Sequence, residues 1–133
     1  MRKRRLSVVL SMALLGVFAL TGCGSKVNAE GTTNEDTFVV GLEAAYPPFN
    51  WTQSDDSNGA VPIDGSSEYA GGYDVEIAKK VAEGLGKELV IVKTGWDGLV
   101  PALQSGKIDA IIAGMSPTAK RREQIDFSDT YYT

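Results

Sequence analysis

Predicted strands and helices alternate through the middle of the chain, and this alternation limits the possible folds more than any other feature. Apolar runs rich in β-branched residues at Thr37–Leu42, Glu88–Val92 and Ile108–Ala113 are typical of strands. Between them, apolar side chains recur at helical spacing in residues 73–85 and 99–103. Strands separated by helices in this way pair in parallel through right-handed crossovers. The sequence therefore predicts an α/β fold with a parallel sheet flanked by helices.

Capping residues and breakers suggest where the helices end. Asp74 is predicted to be the N-cap of the first helix, and the glycines of residues 84–86 are predicted to end it. Pro101 is tolerated if it lies near the first turn of the second helix. One or two further helical turns are predicted over Thr118–Gln124, and an extended tail over Phe127–Thr133.

The segment after the first strand reads as a loop. Tyr46-Pro47-Pro48-Phe49 ends the strand, because neither proline can extend a ladder of hydrogen bonds. Residues 52–69 are rich in Ser, Asp, Asn and Gly, which favours a surface loop. A small hairpin is predicted inside this loop, around Ala60–Ile63.

The amino terminus has the features of an export signal. Residues 1–5 are basic, and Leu6–Leu20 is an apolar run of about 15 residues, shorter than the roughly 20 residues of a spanning helix. The run ends in Leu20-Thr21-Gly22-Cys23, which resembles the lipobox of bacterial lipoproteins. That resemblance implies cleavage before Cys23 and a lipid on its sulfur. The alternative is an ordinary signal peptide with a chance cysteine.

This reading predicts the location of the protein. Residues 1–22 would be a lipoprotein signal peptide, and residues 23–36 a lipidated, flexible tether that is poor in large apolar side chains. Two acyl chains, with a third such as palmitate on the amine, give a stable anchor where one chain would be marginal. We therefore expect the protein at the cell membrane, lipid-anchored on the extracytoplasmic face.

The composition excludes several classes of protein. Four of the 13 basic residues lie in residues 2–5, so the rest of the chain carries nine basic and 17 acidic residues, which argues against nucleic acid as a partner. There is no histidine, and Cys23 is the single cysteine, so no intramolecular disulfide forms. Gly84-Leu85-Gly86 precedes a strand, the reverse of a dinucleotide-binding loop. We expect no catalytic residue, no metal and no cofactor.

Arg121 is the first candidate for binding a small anion. It follows a strand–turn–helix junction at which Ser116 and Thr118 offer hydroxyl groups and free amide N–H groups. Helix N-termini attract anions, and arginine adds a planar fork of donors that fits a carboxylate. The alternative is that residues 120–122, Lys-Arg-Arg, form a solvated charged face. The residues alone do not decide between the two.

Aromatic side chains form a second candidate group. Tyr46, Phe49 and Trp51 follow the first strand, and Trp96 follows the second. Open parallel sheets bind ligands at the carboxyl ends of their strands, where aromatic walls would exclude water. The alternative is core packing beneath a long loop. Glu43 lies at the same edge, either to meet a cationic group or as a solvated charge at the end of a strand.

Several motifs together resemble one family, the polar amino-acid family (family 3) of bacterial extracellular solute-binding proteins. The motifs are Tyr46-Pro47-Pro48-Phe49, Gly72-Tyr73-Asp74-Val75-Glu76-Ile77-Ala78, Trp96-Asp97-Gly98-Leu99-Val100-Pro101-Ala102-Leu103, and Asp109-Ala110-Ile111-Ile112-Ala113-Gly114-Met115-Ser116 with Arg121 and Asp126-Phe127-Ser128. The resemblance implies a lobe of the type II periplasmic-binding-protein fold. Such proteins close two lobes on a free amino acid and deliver it to the permease of an ATP-binding-cassette (ABC) importer.

The resemblance also implies roles for individual residues. The implied ligand-binding residues are Glu43, Tyr46, Trp96, Gly114, Ser116 and Arg121. Arg121 would pair with the α-carboxylate of the ligand, helped by Ser116 and by the backbone at Gly114. Tyr46 and Trp96 would flank the ligand side chain, and Glu43 would lie near its polar end. Many members have Ser or Thr where this chain has Ala113, which leaves a hydroxyl contact there in doubt.

Family members run about twice as far as this chain, so residues 37–133 are predicted to be an incomplete first lobe with the second lobe missing. The absent lobe would supply the acidic partner of the ligand α-ammonium, so we expect this chain to bind more weakly than about 10 µM, if it binds at all. Two other functions are compatible with the sequence: a sensor or adhesin lobe without transport, and a dehydratase-like enzyme on the same scaffold.

Overall fold

The computed structural model describes residues 35–133. The predicted signal peptide, Cys23 and nearly all of the predicted tether lie outside these residues. Within them, the strands are β1 (Thr37–Leu42), β2 (Ala45–Tyr46), β3 (Asn50–Gln53), β4 (Val61–Pro62), β5 (Tyr69–Gly71), β6 (Glu88–Lys93) and β7 (Ala110–Ile111). The helices are α1 (Tyr73–Leu85), α2 (Trp96–Gln104) and α3 (Ala119–Arg122).

The main sheet is parallel, as predicted. Its strand order is β6-β1-β7, and Val40 in the central strand lies opposite Ile91 on one side and Ala110 on the other. The third strand is shorter than the predicted Ile108–Ala113. One reason lies at its start, where the Asp109 carboxylate accepts the Val39 N–H at 2.8 Å. A side chain thus satisfies a donor that a longer strand would pair with a backbone carbonyl.

A second sheet is antiparallel and has the order β2-β3-β5-β4. The predicted hairpin is confirmed, because Val61 pairs with Ala70 and Pro62 with Tyr69. The predicted break at the two prolines is the turn between β2 and β3. Ile63 forms a parallel bridge with Ile91, which connects this sheet to the main one. Residues 52–69 are therefore more ordered than a plain surface loop.

Helix α1 ends as predicted but begins differently. Gly86 has a left-handed conformation at the C-cap, with φ of 65°. The N-cap is Gly72, with no side-chain capping hydrogen bond, so the assignment of Asp74 as N-cap is wrong. Asp74 instead lies in the first turn and is fully buried. Its carboxylate therefore needs partners inside the fold rather than at the end of the helix.

Helix α2 begins at Trp96, earlier than its apolar spacing indicated. Pro101 is consequently the sixth residue of the helix and does not lie in the first turn, so that part of the prediction is wrong. The predicted third helix is confirmed as the single turn α3, whose N-cap is Thr118. The tail over Phe127–Thr133 contains no helix or strand.

The core lies between the main sheet and helices α1 and α2. Its largest fully buried apolar side chains are Val40, Leu42, Val75, Ile91, Leu99 and Ile108. Strand β6 is less buried than its apolar sequence suggested, since Ile91 is its only buried residue. Among residues 35–133, no helix combines the length and the apolar character that crossing a membrane requires.

Candidate ligand-binding site

Arg121 is held in place by its own neighbourhood. Its backbone N–H donates to the Thr118 hydroxyl at 3.3 Å, and its guanidinium Nη1 donates to the Ser116 carbonyl at 2.8 Å. The guanidinium carbon lies 5.4 Å from the ring centroid of Trp96, a cation–π geometry. Arg121 is half-buried, whereas Lys120 and Arg122 are exposed. Arg121 therefore differs from the other two charged residues of the basic run in being partly buried.

Arg121 borders a cavity of about 480 Å³, which we call the arginine cavity. Its lining includes Trp96, Asp97, Val100, Met115, Thr118 and Arg121. The indole ring and Val100 give it an apolar side, and the guanidinium gives it a cationic donor. This combination suits a small molecule that carries both a carboxylate and an aliphatic part.

A second cavity, of about 520 Å³, lies on the other side of Met115, and we call it the aromatic cleft. Its lining includes Tyr46, Phe49, Gly114, Ser116, Asp129 and Tyr131. Tyr46 is half-exposed and stacks on Phe49 with ring centroids 5.2 Å apart. Gly114 has φ of 60°, and a Cβ there would lie 3.2 Å from the Tyr46 ring. Both the backbone conformation and the ring therefore favour glycine at this position.

The structure divides the predicted site residues between these two cavities. Tyr46, Gly114 and Ser116 line the aromatic cleft, and Trp96 and Arg121 line the arginine cavity. Met115 lines both, and the bond from Arg121 to the Ser116 carbonyl joins them.

Two other candidates lie outside both cavities. Glu43 is half-buried just after β1 and lines neither. Trp51 belongs to β3, where its indole N–H donates to the Gln53 side chain at 2.9 Å. It also lines neither cavity. The expectation that Trp51 contributes to the aromatic wall is therefore wrong.

No sequence pattern indicates the hydrogen bonds that connect the tail to the site. The Tyr131 hydroxyl donates to one oxygen of Asp74 at 2.7 Å and accepts the Gly114 N–H at 3.3 Å. The Asn50 side-chain amide donates to the other Asp74 oxygen, also at 2.7 Å. We call these four residues the tyrosine clasp. Burial, with the neighbouring Asp74 carboxylate, raises the pKa of Tyr131 well above its ordinary value, so its hydroxyl stays protonated and donates.

The comparisons with known proteins agree with this fold. Residues 38–133 match the family of bacterial extracellular solute-binding proteins, family 3. The arginine-binding extracellular protein ArtP of Bacillus subtilis is 34% identical over 126 residues, which cover 95% of this chain and 44% of ArtP. The chain belongs to family 3 of the bacterial extracellular solute-binding proteins. It spans less than half the length of the curated relatives that it matches.

Solved structures show the same lobe. Domain 1 of TmArgBP, in its arginine-bound form, is 41% identical with a TM-score of 0.61, covering 74% of this chain and 68% of that one. The ancestral cationic amino-acid solute-binding protein AncCDT-1 is 38% identical with a TM-score of 0.60, covering 74% of this chain and 38% of that one. The described residues therefore form one lobe of the type II periplasmic-binding-protein fold.

Proposed function

We propose that this chain is the first lobe of a receptor that captures an amino acid outside the cytoplasm and delivers it to the permease of an ABC importer. The observation that carries this proposal is the placement of Arg121, fixed between the Ser116 carbonyl and the Trp96 ring at the edge of a cavity. The membership of the chain in family 3 supports the same function.

Arg121 has donors to spare for a ligand. A guanidinium carries five N–H donors, and within the described residues only Nη1 makes a hydrogen bond, to Ser116. The remaining donors suit the α-carboxylate of an amino acid, with Ser116 and the backbone at Gly114 beside it. Tyr46 and Trp96 would then contact the ligand side chain from the two cavities.

We infer that the ligand side chain is cationic. Glu43 is half-buried just after β1 and lies outside both cavities, so a ligand side chain would have to extend beyond them to reach it. Its carboxylate makes no ion pair within residues 35–133. A carboxylate in such a place gains from a cationic partner because burial weakens its hydration. Several of the matched proteins are described as arginine-binding or arginine-bound. L-arginine is therefore the ligand to test first.

The affinity of this chain alone is expected to be modest. An isolated lobe leaves part of a ligand in contact with water, so the ligand makes fewer contacts with the protein to offset the cost of association. The arginine-bound domain 1 of TmArgBP is a single domain of a related protein, which supports measurable binding by one lobe. We expect L-arginine to bind this chain measurably, with a dissociation constant weaker than about 10 µM.

Calorimetric titration with L-arginine and L-citrulline tests the proposal, because the two have similar shapes and only arginine is cationic. We expect arginine to bind at least about tenfold more tightly, since loss of a partner for a partly buried charge costs on the order of 1.4 kcal/mol or more. In Glu43→Gln the preference should fall to less than about threefold. Equal binding of both ligands to the unmodified chain would refute a cationic ligand, and binding of no amino acid would refute the receptor function.

We further propose that residues 1–22 are a lipoprotein signal peptide, residues 23–36 a tether lipidated at Cys23, and residues 37–133 the lobe. The sequence Leu20-Thr21-Gly22-Cys23 after an apolar run supports this. The protein would then lie on the extracytoplasmic face of the cell membrane. In a bacterial host, Cys23→Ser should abolish incorporation of labelled palmitate and move most of the protein from the membrane to the soluble fraction. Unchanged labelling in that variant would contradict the anchor.

The enzyme alternative has less support. The relatives matched by sequence are named as binding proteins, and a structure of AncCDT-1 is described as an amino-acid-binding precursor of cyclohexadienyl dehydratase. The arrangement around Arg121 suits binding of a carboxylate, which requires no acid–base step. No observation favours a sensor or adhesin function over transport.

A further inference from the structure

Asp74 is a buried carboxylate whose two oxygens have separate partners. Asn50 in β3 donates to one oxygen and Tyr131 in the tail donates to the other, each at 2.7 Å. Asp74 itself is fully buried in the first turn of α1. A buried carboxylate is tolerated when hydrogen bonds replace its hydration. The bonds from Asn50 and Tyr131 therefore fix the position of Asp74, and through Asp74 they hold β3 and the tail in place relative to α1.

The direction of the hydrogen bonds at Tyr131 follows from its single proton. Because that proton is donated to Asp74, the phenol oxygen can only accept from any other neighbour. The neighbour that it meets is the Gly114 N–H, at 3.3 Å. The amide of Gly114 is therefore directed toward the tail and away from the arginine cavity.

Two contacts define the conformation of Gly114. On one side lies the Tyr46 ring, which a Cβ at Gly114 would approach to 3.2 Å. On the other lies the Tyr131 hydroxyl. The backbone between them has a φ of 60°. Two residues later, the Ser116 carbonyl accepts from Arg121, so the conformation at Gly114 sets where this carbonyl and the guanidinium lie.

Helix α1 also holds the tail through Tyr73. The Tyr73 hydroxyl donates to the Tyr131 carbonyl at 3.0 Å, and the two rings stack with centroids 6.1 Å apart. The position of the Tyr131 hydroxyl is thus fixed through its ring, its backbone and its bond to Asp74. Such redundancy is what a side chain needs if it is to orient another group.

We propose that Tyr131, oriented by the buried Asp74, is a positioning residue for the ligand loop Gly114–Ser116, and that Gly114 acts through its conformation while its N–H is bound to Tyr131. This inference rests on the proposed amino-acid-binding function. It assigns to the tail a part in ligand binding that acts through the backbone of Gly114, in addition to the place of Tyr131 in the lining of the aromatic cleft. It also changes the role of Gly114, whose amide is not a ligand donor while the clasp is formed.

The test compares Tyr131→Phe with Tyr132→Phe. Both remove one phenol hydroxyl from the tail, but no hydrogen bond involving the Tyr132 hydroxyl is found within residues 35–133, where its ring packs edge-on against Phe49 at 5.0 Å. In the absence of ligand, the amide resonance of Gly114 in nuclear magnetic resonance spectra should shift in Tyr131→Phe and stay in place in Tyr132→Phe. Binding of L-arginine should weaken by about three- to tenfold in Tyr131→Phe, the size of one lost hydrogen bond.

Alkaline titration gives a readout that does not depend on a ligand. The titratable groups that face Tyr131 are Asp74 and Tyr73, both on α1. The folded chain holds the Tyr131 proton more tightly than the unfolded chain does. The free energy of unfolding should therefore fall as the pH rises above the ordinary tyrosine pKa of 10.0, and fall less steeply in Tyr131→Phe. Absorbance of ionised tyrosine should likewise show one group with a high pKa that this variant lacks.

Asp74→Asn is the second variant, in case Tyr131→Phe does not fold. The new amide oxygen still accepts from Tyr131. Asn50 can rotate its side chain so that its Oδ1, which is buried without a partner, accepts from the new amide. The hydrogen bonds around residue 74 are kept and its negative charge is lost, so the pKa of Tyr131 should move toward its ordinary value. A pKa that does not change would overturn the assignment of Asp74 as the group that orients Tyr131.

The outcomes separate this inference from the proposed function. If the unmodified chain binds no amino acid, the proposed function fails, while the Gly114 resonance and the tyrosine titration still test the clasp. If L-arginine binds but Tyr131→Phe weakens it no more than Tyr132→Phe does, positioning by Tyr131 is refuted. A Gly114 resonance that is the same in Tyr131→Phe and the unmodified chain would refute the clasp itself.

Discussion

Replacing Arg121 with alanine is expected to abolish detectable binding of L-arginine to this chain. The α-carboxylate would lose its charged, bidentate partner in a partly buried place, a loss of about 2–5 kcal/mol. That corresponds to a weakening from roughly 30-fold to several thousand-fold, which takes an already modest affinity out of range. The affinity of Arg121→Lys for L-arginine should lie between those of Arg121→Ala and the unmodified chain. An ammonium keeps the charge but lacks the planar guanidinium, which bonds to the Ser116 carbonyl.

Arg122→Ala is the matched control for this experiment. Arg122 is exposed, and its guanidinium lies 5.5 Å from the ring centroid of Phe127. Removing it lowers the net charge by the same amount, and calorimetry should show an affinity within about twofold of the unmodified chain. If both variants weaken binding equally, the effect is one of general charge. Unchanged affinity in Arg121→Ala, with the fold intact by circular dichroism, would refute the carboxylate assignment.

The parallel sheet and its helices were predictable because their signals are local. The apolar runs of β1 and β6 and the helical spacing of α1 depend on residues close in sequence. The prediction failed where contacts between residues distant in sequence determine the environment of a side chain. The spacing marked Asp74 as a helix cap, but its carboxylate is buried because Asn50 and Tyr131 reach it from 24 and 57 residues away.

The candidate site shows the same division. Arg121, Thr118 and Ser116 lie within six residues, so their association could be read from the chain itself. The sequence does not show which aromatic side chains lie near Arg121, because that depends on which side of each strand faces the cavity. Trp51 lies in a strand of the second sheet, and its indole is bound to Gln53.

Gly72→Ala is expected to destabilise the folded lobe strongly. Gly72 has φ of 122°, a conformation that residues with a side chain rarely adopt, and a Cβ there would lie 2.3 Å from the Phe49 carbonyl oxygen. That carbonyl cannot easily move, because it accepts the Asp74 N–H at 2.8 Å. Backbone strain and overpacking together should lower the free energy of unfolding by at least about 3 kcal/mol.

Gly84→Ala provides the control with the opposite sign. Gly84 lies in the last turns of α1, and a Cβ there meets no atom within 4 Å. Alanine in a helix is favoured over glycine by up to about 1 kcal/mol, so urea denaturation should show a small gain in stability. The two variants make the same chemical change at opposite ends of α1. Equal stability of the two would mean that Gly72 tolerates a side chain, and the close approach of α1 to the turn at Phe49, which brings Asp74 to Asn50, would then be wrong.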